Sequence, residues 1–190
     1  KDGVAIVCSA PVMVRNQDTE YPYRQDSDFL YLTGFEEPES IAVLIKAAGV
    51  TRFILFVRPV DPDMEVWVGP RAGIEGACSR FGADEAYPTP TFFDHLAGLL
   101  TNQPRLYLGV GRNASFETRV FSTIETLKGE GRKGITGPWE ILDPRMLLWE
   151  QRLIKSRGEI QAIVQACDVT SAGVMATMRA SMPGMMEYEL

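Results

Sequence analysis

Two runs near the start of the chain limit what it can fold into. Ser40 to Lys46 (S-I-A-V-L-I-K) and Arg52 to Val57 (R-F-I-L-F-V) are short, apolar and rich in β-branched and aromatic residues. Only Ala47-Ala48-Gly49 and a few neighbours separate them, so a β-hairpin is expected. Gly3 to Ser9 (G-V-A-I-V-C-S) is apolar throughout and reads as a third strand, buried on both faces. A chain with these three strands must cover two sheet faces. Helical periodicity later in the sequence supplies the cover.

Ile74 to Phe81 reads as a short helix stopped by Gly82. Thr91 to Leu100 has helical spacing, with Thr91 as N-cap and Asp94 in the first turn. Arg105 to Leu108 is a strand, and Ser115 to Lys128 a helix with Phe116, Val120, Phe121, Ile124 and Leu127 on one face. Gly129 to Pro138 holds four glycines and reads as a flexible connector. Asp143-Pro144 opens a helix to about Ile154, and a long helix runs from Glu159 to Ser181. Met185 to Leu190 looks like the start of a further element. The expected fold class is α/β. Residues 1–150 form a mixed β-sheet domain flanked by helices, and residues 151–190 form a helical arm whose apolar face needs a partner.

Two further stretches read as strands. Tyr23 to Phe35 (Y-R-Q-D-S-D-F-L-Y-L-T-G-F) leads with polar residues, continues with apolar ones and closes on a glycine turn. Met64 to Gly69 (M-E-V-W-V-G) reads as a short strand ending in its own glycine turn. Residues 10 to 22 read as a loop.

Net charge is −6, and the 19 Lys and Arg do not cluster, which argues against a nucleic-acid surface. No apolar run reaches the length of a membrane span. Lys1-Asp2-Gly3 leads straight into a strand, so no signal peptide is expected, and a first residue other than Met fits a piece of something longer. Cys8, Cys78 and Cys167 are odd in number and far apart; they read as small, partly buried apolar residues in a reducing cytoplasm.

Candidate chemistry is sparse. His95 is the only histidine, so neither a Ser-His-Asp triad nor a multi-histidine zinc site is supported; it reads as a surface or helix-packing residue. Gly109-Val110-Gly111-Arg112-Asn113-Ala114 matches a dinucleotide fingerprint, with Glu130 near the acidic distance. It comes late, after a four-residue strand, which weighs against a nucleotide. Asp26/Asp28, Glu36/Glu37 and Asp61/Asp63 are acid pairs. For Asp26/Asp28, with Arg24 nearby, a structural role is favoured over a cation site; Asp61/Asp63 reads as a solvated turn. Trp67 is either a core aromatic or a contact residue. Arg132 and Lys133 in the connector read as solvated.

Taken together, Tyr23 to Phe35, Pro38-Glu39, Glu65-Val66-Trp67-Val68-Gly69 with Arg71, and Arg152-Leu153-Ile154-Lys155-Ser156 with Glu159-Ile160 resemble the amino-terminal part of aminopeptidase P. These are the manganese-dependent Xaa-Pro aminopeptidases of the pita-bread metallopeptidase group. Prolidase and creatinase relatives share the layout but match the first run less well. Within that run Tyr23, Arg24, Asp28, Phe29, Tyr31 and Gly34 carry the resemblance as a structural motif. The resemblance implies a non-catalytic mixed-sheet domain, followed by the linker and first helix of a catalytic domain. Pro183-Gly184-Met185 with Glu187 and Leu190 resembles the turn into that domain's second helix.

For the complete protein the resemblance implies a cytoplasmic enzyme that removes the residue before a penultimate proline, using a dinuclear manganese site. That site's two Asp, one His and two Glu match no residue here, so this stretch is expected to hold no metal and no catalytic residue. It also implies a homo-oligomer, dimer or tetramer, in which Trp67 and Arg132 help wall a neighbouring subunit's active site. A stand-alone binding or oligomerisation module of the same fold is one rival expectation, and a prolidase or creatinase relative, differing only in substrate, is another.

Overall fold

A computed structural model of the chain describes residues 2–189. Strands β1 (Gly3–Cys8), β2 (Val14–Asn16) and β3 (Thr19–Glu20) precede helix α1 (Ser27–Thr33). Strands β4 (Ile41–Ala47) and β5 (Val50–Val57) follow, then helices α2 (Pro62–Val68) and α3 (Gly73–Phe81). Next come β6 (Glu85–Pro88), α4 (Phe92–Leu100), β7 (Arg105–Leu108), α5 (Ala114–Gly129) and β8 (Glu140–Leu142). Helices α6 (Arg145–Leu153) and α7 (Arg157–Ala180) end the series, before a single 3₁₀ turn at Glu187–Glu189. The chain divides into two compact units, one up to Met146 and one from Leu147 on.

The first unit is built on a six-stranded mixed sheet in the order β6-β5-β4-β1-β7-β8. Strand β4 runs antiparallel to both β1 and β5, while β6, β7 and β8 add in parallel. The β4–β5 turn is Ala48-Gly49, both at positive φ (51° and 83°), the conformation a two-residue hairpin needs. Period-two alternation sends side chains to two cores. Val4, Ile6, Val43, Ile54, Phe56 and Leu106 meet Phe92, Leu96 and Leu100 of α4 and Val120 and Ile124 of α5. Ala42, Leu55 and Val57 meet Phe29 of α1, Phe35 and Ala77 of α3 on the other face. The result is a three-layer α/β domain, as the strand runs predict.

Two expected strands are helices. In the Tyr23–Phe35 stretch, the Asp26 side chain accepts from the N–H groups of Asp28 and Phe29, and Gly34 (φ 64°) closes the far end by donating to Leu30 O. These caps fix one helical stretch between them. Phe29 and Thr33, one turn apart, are buried, while Leu30 and Tyr31 face solvent. At Met64–Gly69 the same logic applies. Asp61 caps α2 through Met64 N–H at 3.3 Å, and Pro62 sits in the first turn, where its missing N–H costs nothing.

Smaller corrections follow. Residues 10 to 22 include the β2–β3 ribbon, and β6 and β8 join the main sheet. Thr91 precedes α4 but does not cap it; its hydroxyl donates to Pro88 O at 2.8 Å. The connector after α5 is tied down: Thr136 N–H donates to Asn102 Oδ1 at 2.9 Å, and Asn102 N–H to Thr136 O at 2.7 Å.

In the second unit, α7 starts on a capping box: Glu159 N–H donates to the Ser156 hydroxyl, and the Glu159 carboxylate accepts from Ser156 N–H. No residue of α7 is buried. Leu190, in the last expected element, lies outside the described residues.

Candidate functional site

The motif run is organised by a residue the sequence does not single out. Gln25 is buried, and its Oε1 accepts from Ala10 N–H and Asp26 N–H, both at 2.8 Å. Its Nε2 donates to the carbonyls of Phe35 at 3.2 Å and Glu37 at 3.0 Å. The Tyr23 hydroxyl lies 2.9 Å from Gln25 Oε1 and 3.1 Å from Ala10 O. Burial is the main reason the Tyr23 phenol is held above its usual range. One side chain thus ties together the loop after β1, the start of α1 and the turn before β4. A glutamine offers both donors and an acceptor, which is the available signal for such a hub.

The acid pairs do structural work. Besides capping α1, Asp26 accepts from Arg112 Nη1 at 2.7 Å; its expected neighbour Arg24 is exposed. Burial opposes ionisation of Asp26, but the bonds from Phe29 N–H and Arg112 outweigh it and lower its carboxyl below the usual range. Asp28 is buried. Asp61 caps α2, and Glu37 Oε1 accepts from Ala72 N–H at 2.6 Å. Among the described residues no three His, Cys, Asp or Glu side chains gather as a metal site.

The fingerprint-like loop carries its own anion. Gly111, Arg112 and Asn113 each donate an N–H to Glu117 Oε1 at 2.9 Å. These bonds, led by the one from Asn113, hold the Glu117 carboxyl below its usual range. The cradle in which a dinucleotide's phosphate would sit is therefore filled by a carboxylate of the following helix. Glu117, four residues after the Asn113 cap, is the sequence signal for this.

His95 packs against Tyr87 (ring centroids 4.3 Å apart, planes tilted by 40°) and approaches Phe56 (5.6 Å). It borders a half-open cavity of about 320 Å³ with Arg52, Glu85 and Tyr87. Arg52 and the Tyr87 hydroxyl both bind Glu85, so that corner is already neutralised. Cys8 and Cys167 are exposed, against expectation, while Cys78 is partly buried beside the second core.

Trp67 is not a core aromatic. It stands 85% exposed on α2, beside Val66 at 80%, and α2 buries no residue. Three adjacent apolar residues, Val66, Trp67 and Val68, are left exposed on α2. Arg132 is exposed in a 3₁₀ turn (Gly131–Lys133) that continues from α5, beside the Lys133–Glu130 ion pair. Trp67 and Arg132 therefore sit on segments joined to opposite layers: α2 leads into α3, and the turn follows α5.

Comparison with known proteins gives this layout a family. Residues 1–107 match the model for the aminopeptidase P N-terminal domain. The chain belongs to that family. It is 37% identical over 187 residues to an Xaa-Pro aminopeptidase of Escherichia coli (strain K12), covering 98% of this chain and 42% of the relative. It is 39% identical over 176 residues to the Haemophilus influenzae Xaa-Pro aminopeptidase, covering 93% and 38%.

Among solved structures, aminopeptidase PepP of Pseudomonas aeruginosa superposes with a TM-score of 0.92 at 39% identity, over 99% of this chain and 42% of that one. The low-pH form of E. coli aminopeptidase P gives 0.93 at 36%, over 100% and 43%. A zinc-substituted form of the E. coli enzyme in complex with product gives 0.92 at 36%, over 98% and 42%. The chain thus spans about two fifths of the length of these relatives.

Proposed function

We propose that this chain is the amino-terminal, non-catalytic part of a metal-dependent Xaa-Pro aminopeptidase. The complete protein removes the residue before a penultimate proline, in the cytoplasm, with a dinuclear manganese centre held by residues outside this stretch. Residues 1–150 act as the supporting domain, and residues 151–190 are the linker and first helix of the catalytic domain. The rest of that domain covers the apolar face of α7, where Ile160, Ile163 and Val164 are each about half exposed. The complete protein is a dimer or tetramer, and Trp67 and Arg132 wall a neighbouring subunit's active site.

The carrying observation is the match to Xaa-Pro aminopeptidases over 98% of the chain. The exposed apolar top of α2 supports the role given to Trp67. The complete protein is assayed on Xaa-Pro and Xaa-Ala peptides, with and without a chelator. Cleavage confined to Xaa-Pro, abolished by the chelator and restored by manganese, is expected. A reading frame that stops shortly after residue 190, or hydrolysis by the 190-residue chain itself, overturns the proposal. Trp67→Ala and Arg132→Ala in the complete protein are expected to raise KM; unchanged kinetics remove those two residues from the site.

A further inference from the structure

Helix α2 buries nothing, so the hydrophobic effect does not fix where Trp67 points. Polar ties do. The Glu65 carboxylate, two residues before Trp67, accepts from Arg71 N–H at 2.9 Å. Arg71 Nη1 reaches back across the loop and donates to Pro59 O at 3.2 Å. These bonds close residues 59–71 into a ring with α2 at its crown. Its two stems touch: a Cβ on Gly73 (φ +61°) would lie 2.5 Å from Val60 Cγ2, so only glycine fits there. The returning stem is fastened to the domain by Ala72 N–H donating to Glu37 Oε1 at 2.6 Å.

Arg71 Nε is buried without a hydrogen-bond partner among the described residues. A buried guanidinium nitrogen with an idle donor opposes folding. Such a residue is expected where it fixes geometry, not where it only adds stability.

We infer that Arg71 and Glu65 are positioning residues for Trp67: together they hold α2 in one orientation so that its exposed tryptophan meets the substrate site. This rests on the role proposed above for Trp67. Neither residue touches substrate; both act through the loop. The geometry also separates their chemistry. Glu65 acts as an acceptor, which an amide oxygen can replace. Arg71 acts through its reach to Pro59 O, which a lysine ammonium can partly replace.

The test uses the complete protein and two readouts. Hydrogen exchange of the amides from 63 to 69 reports the latch. KM and kcat on an Xaa-Pro peptide report its consequence. Arg71→Ala and Glu65→Ala are expected to speed exchange across α2 and raise KM by about fivefold to tenfold, the equivalent of one or two ordinary hydrogen bonds. Glu65→Gln is expected to match the parent in both readouts, and Arg71→Lys to fall between. In a Trp67→Ala background, Arg71→Ala is expected to add nothing to KM, since both changes remove one function. Unchanged exchange in Arg71→Ala overturns the latch. Faster exchange with additive KM effects shows that Arg71 acts elsewhere and overturns the link to Trp67. Faster exchange with Trp67→Ala kinetically silent overturns the role of Trp67, and with it the catalytic meaning of the latch.

Discussion

Replacing Gln25 by alanine tests how the motif run holds the domain together. Four backbone groups lose their partner: the N–H groups of Ala10 and Asp26 and the carbonyls of Phe35 and Glu37. The Phe35 carbonyl bond is buried, and the other three are part-buried. An ordinary hydrogen bond contributes about 1 kcal/mol net, and a buried group left unpaired costs about 1–3 kcal/mol. Water can reach the part-buried groups and limits their loss. Gln25→Ala should therefore destabilise the domain by about 3–5 kcal/mol. In a chain of this size that lowers Tm by roughly 6–20 °C. Tyr23→Phe removes one hydroxyl and should cost only about 1 kcal/mol. Urea denaturation followed by far-UV circular dichroism compares the two against the parent. A Gln25→Ala loss below about 1 kcal/mol, or one no larger than that of Tyr23→Phe, would refute the hub argument, because the four groups would then be satisfied without it.

Two other perturbations probe different parts of the fold. Glu117 has its pKa lowered in the folded state, so its contribution is present above the unfolded carboxylate pKa and is lost as pH falls through the folded value. Glu117→Gln should flatten the acid side of the stability–pH curve; a variant curve parallel to the parent's below pH ~5 contradicts this. Phe56→Ala removes a fully buried ring that meets Phe92 edge-on at 5.1 Å and Tyr87 at 5.6 Å. It should cost about 3–5 kcal/mol in denaturant unfolding.

The sheet was legible because its central strands leave short uninterrupted apolar runs, as at Gly3–Cys8 and in the Phe53-Ile54-Leu55-Phe56-Val57 half of β5. The two misread segments fail for a shared reason. Phe29-Leu30-Tyr31-Leu32 is apolar at every position and has no period, while Met64–Val68 has a single polar residue, Glu65, and buries neither face. In both, the caps carry the information: Asp26 with Gly34, and Asp61 with Pro62. The same Asp-Pro pair marks a helix start at Asp143-Pro144. The short strands β6 and β8 escape because their pairing partners, β5 and β7, lie 25 or more residues away in sequence. The Gln25 hub and the Asn102–Thr136 clamp are likewise long-range. As for the candidate site, Trp67 was visible as an aromatic of undecided role. Its exposure became evident only with the fold, because a five-residue pattern does not say which faces are covered.

Helix α2 also bears on how a family like this can change. The apolar residues packed against the sheet lie in the two cores, and none of them belongs to α2. Substitutions at Met64, Val66, Trp67 or Val68 leave folding free energy nearly untouched, provided that the ring from Pro59 to Arg71 stays closed. The crown can therefore change to suit what it contacts while the scaffold keeps its stability. The two demands fall on separate residues, so neither constrains the other.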